Sequence, residues 1–178
     1  MTRPEFIILA GLPGTGKTTL ARRLARELAL VYLRVDSIEA PFQPICPAMG
    51  GEGYQALLNL AKENLMLGQS VIADTVNPLH RTRAMFRSLA EETGAEAVQF
   101  ELKLKDPVLH RKRVEERTPD IPSLRLPAWD DVVNRHYEPW DEALDGPAFT
   151  LWMDDGDSAF RQALSILHSR GSRHNPDA

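Results

Sequence analysis

Gly11-Leu12-Pro13-Gly14-Thr15-Gly16-Lys17-Thr18 matches the pattern G-x-x-x-x-G-K-[ST] at every position. It is preceded by Phe6-Ile7-Ile8-Leu9-Ala10, a short apolar run suited to a strand buried on both faces. It is followed by Leu20, Ala21, Leu24, Ala25 and Leu28, which recur at helical spacing. A strand, a tight turn and a helix start are the setting in which this motif works. The N–H groups of Leu12 to Thr18 converge on phosphates only if Gly11, Gly14 and Gly16 adopt dihedrals closed to other residues, and the helix beginning near Lys17 adds its unpaired N–H groups and positive dipole end. In that geometry Lys17 reaches the β- and γ-phosphates, and the Thr18 hydroxyl ligates Mg²⁺. A glycine turn that merely joined a strand to a helix would not need the Lys-Thr pair.

Working outward, Val31 to Val35 forms a second β-rich run, with Asp36 standing where the strand should end. Ala40 to Gly53 contains three prolines and two glycines before Gly53, so no regular structure is expected there. Tyr54 to Leu67 is helical, Val71-Ile72-Ala73 is a third strand ending at Asp74, and His80 to Thr93 is a helix stopping at Gly94. Ala97 to Leu104 gives a fourth strand. Asp106-Pro107 opens a helix expected to run to about Arg117, because Asp caps free N–H groups and Pro suits the first helical position. A Pro-rich excursion over about 117–128, a helix over Asp130 to Tyr137, a fifth strand over Phe149 to Met153 and a last helix over Ala159 to His168 complete the pattern. Strands alternate with helices five times, which predicts one α/β domain over 1–178 with helices on both faces of a mainly parallel sheet. The polar tail 170–178 is expected to fray.

Ligands of open α/β sheets bind beyond the carboxyl ends of the strands, so the acids there are candidates. Asp74, at the end of an apolar strand, is placed to hold Mg²⁺ directly or through water; the alternative is an Asp that only caps the following turn. Asp36 is either the group that accepts the proton of an acceptor hydroxyl or an N-cap completed by Glu39. In His110-Arg111-Lys112-Arg113, followed by Arg117, the i, i+4 spacing puts Arg113 and Arg117 on one helix face. Such a run can be a solvated face paired with Glu115 and Glu116, but its place just before the excursion, which itself carries Arg125, suits arginines that close over a triphosphate. Trp129, Trp140 and Trp152 are read as packing residues.

Gly11 to Thr19, Asp36, Asp74 and the Arg113-x-x-x-Arg117 spacing together resemble the P-loop kinases related to adenylate, gluconate, chloramphenicol and polynucleotide kinases. The Asp74-x-Val76-Asn77-Pro78 and Leu124-Arg125-Leu126-Pro127 stretches are similar to those of small adenylyl-sulfate-kinase-like ATPases of the AAA family. The resemblance covers nearly the whole chain. It implies a three-layer P-loop NTPase domain with a five-stranded parallel sheet in the order 2-3-1-4-5 and a lid between strands 4 and 5. It also implies ATP and Mg²⁺ as cofactors, Gly11 to Thr19 as the nucleotide-binding stretch, Thr18 and Asp74 as the metal residues, and Lys17, Asp36, Arg113 and Arg117 as catalytic. One position departs from it: many relatives carry Arg three residues after the strand-two Asp, where this chain has Glu39.

A chain of 178 residues that is 43% hydrophobic suffices for one well-packed domain. Its formal charge of −4 argues against binding nucleic acid or anionic membrane over a whole face, leaving a short oligonucleotide end as the only nucleic-acid partner in view. Cys46 is the single cysteine, so no internal disulfide forms. The amino-terminal residues lack the pattern of a signal peptide, and no apolar run approaches the ~20 residues of a membrane span, so a cytoplasmic monomer or homodimer is expected. The leading function is an ATP-dependent kinase of a small hydroxyl-bearing molecule. The rivals are a nucleotide-hydrolysing switch acting through a protein partner and a kinase of oligonucleotide 5′-hydroxyl ends. No guanine-selecting Asn-Lys-x-Asp sequence occurs, which favours ATP over GTP.

Overall fold

Alternation along the first strand sets the layering of the molecule. In β1 (Glu5–Ala10), Ile7 and Leu9 face one side and Phe6 and Ile8 the other, and all four are fully buried. A strand apolar on both faces needs a helical layer on each. The computed structural model describes residues 3–46, 51–122 and 124–171. After the loop come α1 (Lys17–Glu27), β2 (Val31–Arg34), the short α2 (Val35–Glu39) and α3 (Glu52–Met66). These are followed by β3 (Val71–Asp74), α4 (His80–Thr93), β4 (Glu96–Lys103) and α5 (Pro107–Glu115). The short α6 (Trp129–Val133) and α7 (Glu142–Asp145), then β5 (Phe149–Trp152) and α8 (Gly156–Gly171), complete the chain.

The five strands form one parallel sheet in the order β2-β3-β1-β4-β5, the order implied by the family resemblance. Leu20, Ala21 and Leu24 of α1 and Ala159, Ala163 and Leu167 of α8 pack on the face that carries Ile7 and Leu9. Leu57, Leu58, Ala61 and Leu65 of α3, with Phe86, Leu89 and Ala90 of α4, cover the face that carries Phe6 and Ile8. The stripes of α1 and α3 are those read from the sequence. Burying each of the leucine and phenylalanine side chains contributes about 1.5–3 kcal/mol, so two dense layers hold the strand ends in a fixed relation. Register then sets the site: Leu9 and Arg34 both pair with Asp74, bringing the ends of β1, β2 and β3 side by side.

Several boundaries differ from expectation, each for a local reason. Val35 opens α2, so Asp36 lies in the first turn of a short helix rather than at a strand end. Helix α5 stops at Glu115 with Glu116 as its C-cap, so Arg117 lies beyond the helix, and Arg113 and Arg117 do not share a helical face. Pro119 is the cause, since a residue before proline avoids the helical region and Thr118 cannot extend the turn. The helix expected over Asp130 to Tyr137 is confined to α6, and α7 was not foreseen. Helix α8 starts earlier than expected and reaches Gly171; the tail expectation over 172–178, like Pro47 to Gly50 of the irregular segment, lies outside the described residues.

Gly11 has φ +138, and a Cβ there would stand 2.5 Å from the backbone oxygen of Leu102 on β4, which paired strands cannot yield. At Gly14, φ +84, a Cβ would meet a methyl of Val114 at 2.5 Å, which can turn away. Gly11→Ala is therefore expected to lower stability by about 3 kcal/mol, the upper end of local backbone strain, and Gly14→Ala by about 1 kcal/mol. Equal losses in chemical denaturation would show that the β4 carbonyl does not limit this turn.

Candidate functional site

The loop between β1 and α1 is fixed at several points. Gly11 N–H donates to Val76 O at 3.0 Å, the Thr15 hydroxyl donates to Leu12 O at 2.9 Å, and His110 Nε2 stands 2.8 Å from Pro13 O, tying the loop to α5. Gly16, at φ 94, caps α1 without a side-chain hydrogen bond, and no acidic residue occupies the first turn. The end of the helix therefore presents N–H groups and a positive dipole with nothing negative of its own beside them. Lys17 is buried, and its ammonium folds back to donate to Leu12 O at 2.9 Å. Burial pushes the Lys17 amine down to about 8, against the opposing pull of Asp74 and Asp36.

Around this loop the acids gather on one guanidinium that the sequence reading passed over. Arg34, at the end of β2, has only 3% of its surface exposed. It donates to Asp36 Oδ2 at 2.8 and 3.2 Å and to Asp120 Oδ2 at 2.7 Å, and its Nε stands 3.9 Å from Asp74 Oδ2. Burial opposes its charge, but the hydrogen bonds to Asp120 and Asp36 outweigh that and keep it protonated. Asp120 also receives Arg22 at 2.7 Å, so the Pro-rich excursion is pinned to α1 and β2 together. Hydrogen bonding from Arg34 holds the Asp120 carboxyl below its usual range. The signal for Arg34 was present in the pattern: Tyr32 and Arg34 share a face of β2, and Tyr32 OH donates to Asp74 Oδ2 at 3.0 Å.

Asp74 is 3% exposed, and burial raises its carboxyl, with Lys17 and a hydrogen bond from the Thr18 hydroxyl opposing. A buried carboxylate beside a hydroxyl, both hard oxygen donors at the edge of a phosphate-shaped loop, fits a divalent ion that keeps several waters. No cluster of three or more His, Cys, Asp or Glu side chains suited to a metal occurs among the described residues, so any such ion would depend on Thr18, Asp74 and ligand oxygens.

Two cavities open at the loop. The first, of about 400 Å³, is bordered by Gly14, Thr19, Arg22 and Arg113. The second, of about 370 Å³, is bordered by Asp36, Glu39, Tyr54, Asp74 and Arg135. Lys17, Thr18 and Arg117 border both. The structure thus brings Lys17, Thr18, Asp36, Asp74 and Arg117 together, and Arg117 Nη2 stands 4.0 Å from Asp36 Oδ2. Arg113 borders only the first cavity and donates to Met153 O at 2.9 Å. The other cations of the α5 run are paired on the helix surface, Arg111 with Glu115 at 2.8 Å and Lys112 with Glu116 at 4.0 Å. Burial, with Asp36 and Glu52 nearby, pushes the Glu39 carboxyl up to about 7. Trp140 packs over Arg83 and Trp129 against His110, whereas Trp152 is 43% exposed beneath Lys105 and so departs from the packing role expected of it.

Residues 6–139 match the protein family described as AAA domain. The chain is 36% identical over 81 residues to the ATP-dependent zinc metalloprotease FtsH of Hahella chejuensis. That stretch is 45% of this chain and 12% of the protease, so the chain spans about an eighth of the length of this curated relative. Among solved structures, a sugar kinase from Janibacter sp. superposes with TM-score 0.70 and 16% identity over 93% of this chain and 95% of the other. The APS kinase CysC of Mycobacterium tuberculosis, in complex with AMPPNP and APS, gives TM-score 0.69 and 18% identity over 94% and 99%. At these identities the likeness is one of fold. The match runs from β1 past α6, and on it the chain belongs to the AAA domain family, built on the fold of the P-loop kinases.

Proposed function

We propose that the chain is an ATP-dependent phosphotransferase that moves the γ-phosphoryl group to a hydroxyl of a small molecule. One observation carries the reading: two cavities of metabolite size meet at Lys17, Thr18 and Arg117. A hydrolase or switch needs one nucleotide cavity; a second, lined by Asp36 4.0 Å from the shared Arg117, suits an acceptor. The M. tuberculosis APS kinase, with AMPPNP and APS bound, offers a precedent for the two ligands on this fold.

In this reading the main-chain N–H groups of the loop cradle the phosphates, and Lys17 leaves Leu12 O to meet the β- and γ-oxygens. Thr18 and Asp74 would hold Mg²⁺ directly or through water, and the ion would supply neutralising charge to those phosphates. Asp36, oriented by Arg34, accepts the proton of the acceptor hydroxyl as its oxygen bonds to the γ-phosphorus; the bond to the β–γ bridging oxygen breaks and ADP leaves with that electron pair. Arg117, which borders both cavities, faces the transferred group, and Arg113 faces the nucleotide side. Gly11 to Thr19 form the nucleotide-binding stretch. The test is incubation with γ-labelled ATP and a low-molecular-mass metabolite extract: label in an organic product supports the transferase, and label only in inorganic phosphate would assign a hydrolysing switch instead.

Bound triphosphate favours the charged amine of Lys17, so its pKa rises from about 8 on binding. Affinity should be full below pH 8 and fall above it, by at most about tenfold per pH unit, as the free protein loses the proton that the complex retains. Calorimetry in buffers of differing ionisation enthalpy at pH 8.5 should record proton uptake in the wild type and none in Lys17→Met; identical uptake in both would remove Lys17 from the phosphates.

Arg117→Ala is expected to lower kcat by roughly 10–1000-fold with little change in ATP affinity, on the scale of losing one donor to developing charge. Arg113→Ala should cost less, since part of its guanidinium already serves Met153 O. Asp36→Asn should lose transfer while retaining ATP binding. Wild-type single-turnover rates in Arg117→Ala would reduce that arginine to a surface charge.

A further inference from the structure

Arg81, Arg125 and Arg135 border the second cavity, and none of them has a carboxylate within 4.0 Å among the described residues. They reach it from three places: the first turn of α4, the Pro-rich excursion, and the residue after the C-cap of α6. This is uneven for a chain with 25 acidic against 21 basic residues, in which Arg22, Arg23, Arg34, Arg83 and Arg170 all have acidic partners. Acids are present in the cavity but are used elsewhere. Asp36 is held by Arg34, Asp74 lies among Tyr32, Arg34 and Thr18, and Glu39 is packed so closely against Gly53 that a Cβ there would stand 2.1 Å from its Oε1.

The backbones that carry the three arginines are fixed although their side chains are exposed. Arg81 lies two residues before Arg83, which is fully buried. The Arg83 guanidinium donates to Asp145 Oδ2 at 2.8 Å and to Glu138 O at 2.6 Å, and lies over the rings of Tyr137 and Trp140. Arg125 follows the buried Leu124, and its N–H donates to Gln43 Oε1 at 3.1 Å. Arg135 N–H donates to the carbonyl of the fully buried Val132 at 3.4 Å. Guanidinium groups on anchored backbones, around a cavity of about 370 Å³ and without carboxylate partners among the described residues, suit a small ligand with a planar or tetrahedral oxyanion, to which arginine donates in a fixed fork. The cavity is of metabolite size, which disfavours a polymer.

We infer that the phosphoryl acceptor is a small molecule that carries, besides its hydroxyl, an oxyanion of the carboxylate or phosphate class, bound in the second cavity by Arg81, Arg125 and Arg135. The inference rests on the transferase reading.

The test divides a nuclease-treated, low-molecular-mass metabolite extract by anion exchange and offers each half to the full-length protein with γ-labelled ATP. Labelled organic product is expected from the retained half. Pretreatment of that half with alkaline phosphatase separates the sources, removing the acceptor if its oxyanion is a phosphate monoester and sparing it if it is a carboxylate. With the purified acceptor, Arg81→Ala, Arg125→Ala and Arg135→Ala should each raise acceptor KM about tenfold or more while leaving the Kd of the ATP analogue AMPPNP unchanged, and Lys at these sites should restore part of the loss. Product arising only from the unretained half, or unchanged KM in all three variants, would overturn the inference and leave the transferase standing. Label appearing only as inorganic phosphate from both halves would overturn the transferase reading and this inference with it.

Discussion

The site is organised by the cost of burying one cation. Arg34 has 1% of its side chain exposed, and a guanidinium so far from water is tolerated only where carboxylates replace its hydration. Asp36, Asp74 and Asp120 do so from α2, β3 and the Pro-rich excursion. Satisfying Arg34 therefore places three acids from separate parts of the chain around one point beside the phosphate loop. Two of these carboxylates, Asp74 and Asp36, also lie near Lys17 and favour its ammonium. The same need docks the excursion against the body of the protein through Asp120.

Much of this architecture is legible in the sequence because its causes are local. The loop motif, the doubly apolar β1 and the run from His80 to Thr93 closed by Gly94 are each specified by neighbours a few residues apart, and α4 has the bounds read from the sequence. The sheet order followed from the family resemblance rather than from any residue pattern. What stayed hidden depends on contacts between distant segments. Arg34 and Asp120 are 86 residues apart, and nothing near either one announces the pairing. Likewise α5 ends two residues short of Arg117 because of Pro119, a constraint visible in the sequence but outweighed in the reading by the attraction of the i, i+4 spacing.

That shortened helix also sorts a charge run that the sequence leaves ambiguous. Arg111 and Lys112 pair with Glu115 and Glu116 on the solvated surface, where such pairs contribute little to stability and carry no further meaning. Arg113 turns instead toward the end of β5, and Arg117, released from the helix, reaches the junction of the two cavities. Had α5 continued to Arg117, this residue would have been fixed one turn beyond Arg113 on the same face. Ending the helix early leaves Arg113 on the first cavity and puts Arg117 where the two meet.

A second buried guanidinium supports the wall of the second cavity in the same manner as Arg34 supports the loop. Arg83 is fully buried and makes hydrogen bonds to the carbonyls of Asn77, Pro78, Glu138 and Pro139 as well as its ion pair with Asp145. Asp145 also accepts from the N–H of Asp141 and stands 2.9 Å from His80 Nδ1. Pro78 and Leu79, which border the second cavity, are thereby joined to the segment between α6 and β5, 60 or so residues away. A buried charge satisfied by main-chain carbonyls fixes backbone position more tightly than apolar contact does, because a displaced carbonyl leaves both itself and the cation unpaired. The wall of the second cavity is thus tied to main-chain carbonyls far along the chain, as the phosphate loop is tied to α5 through His110.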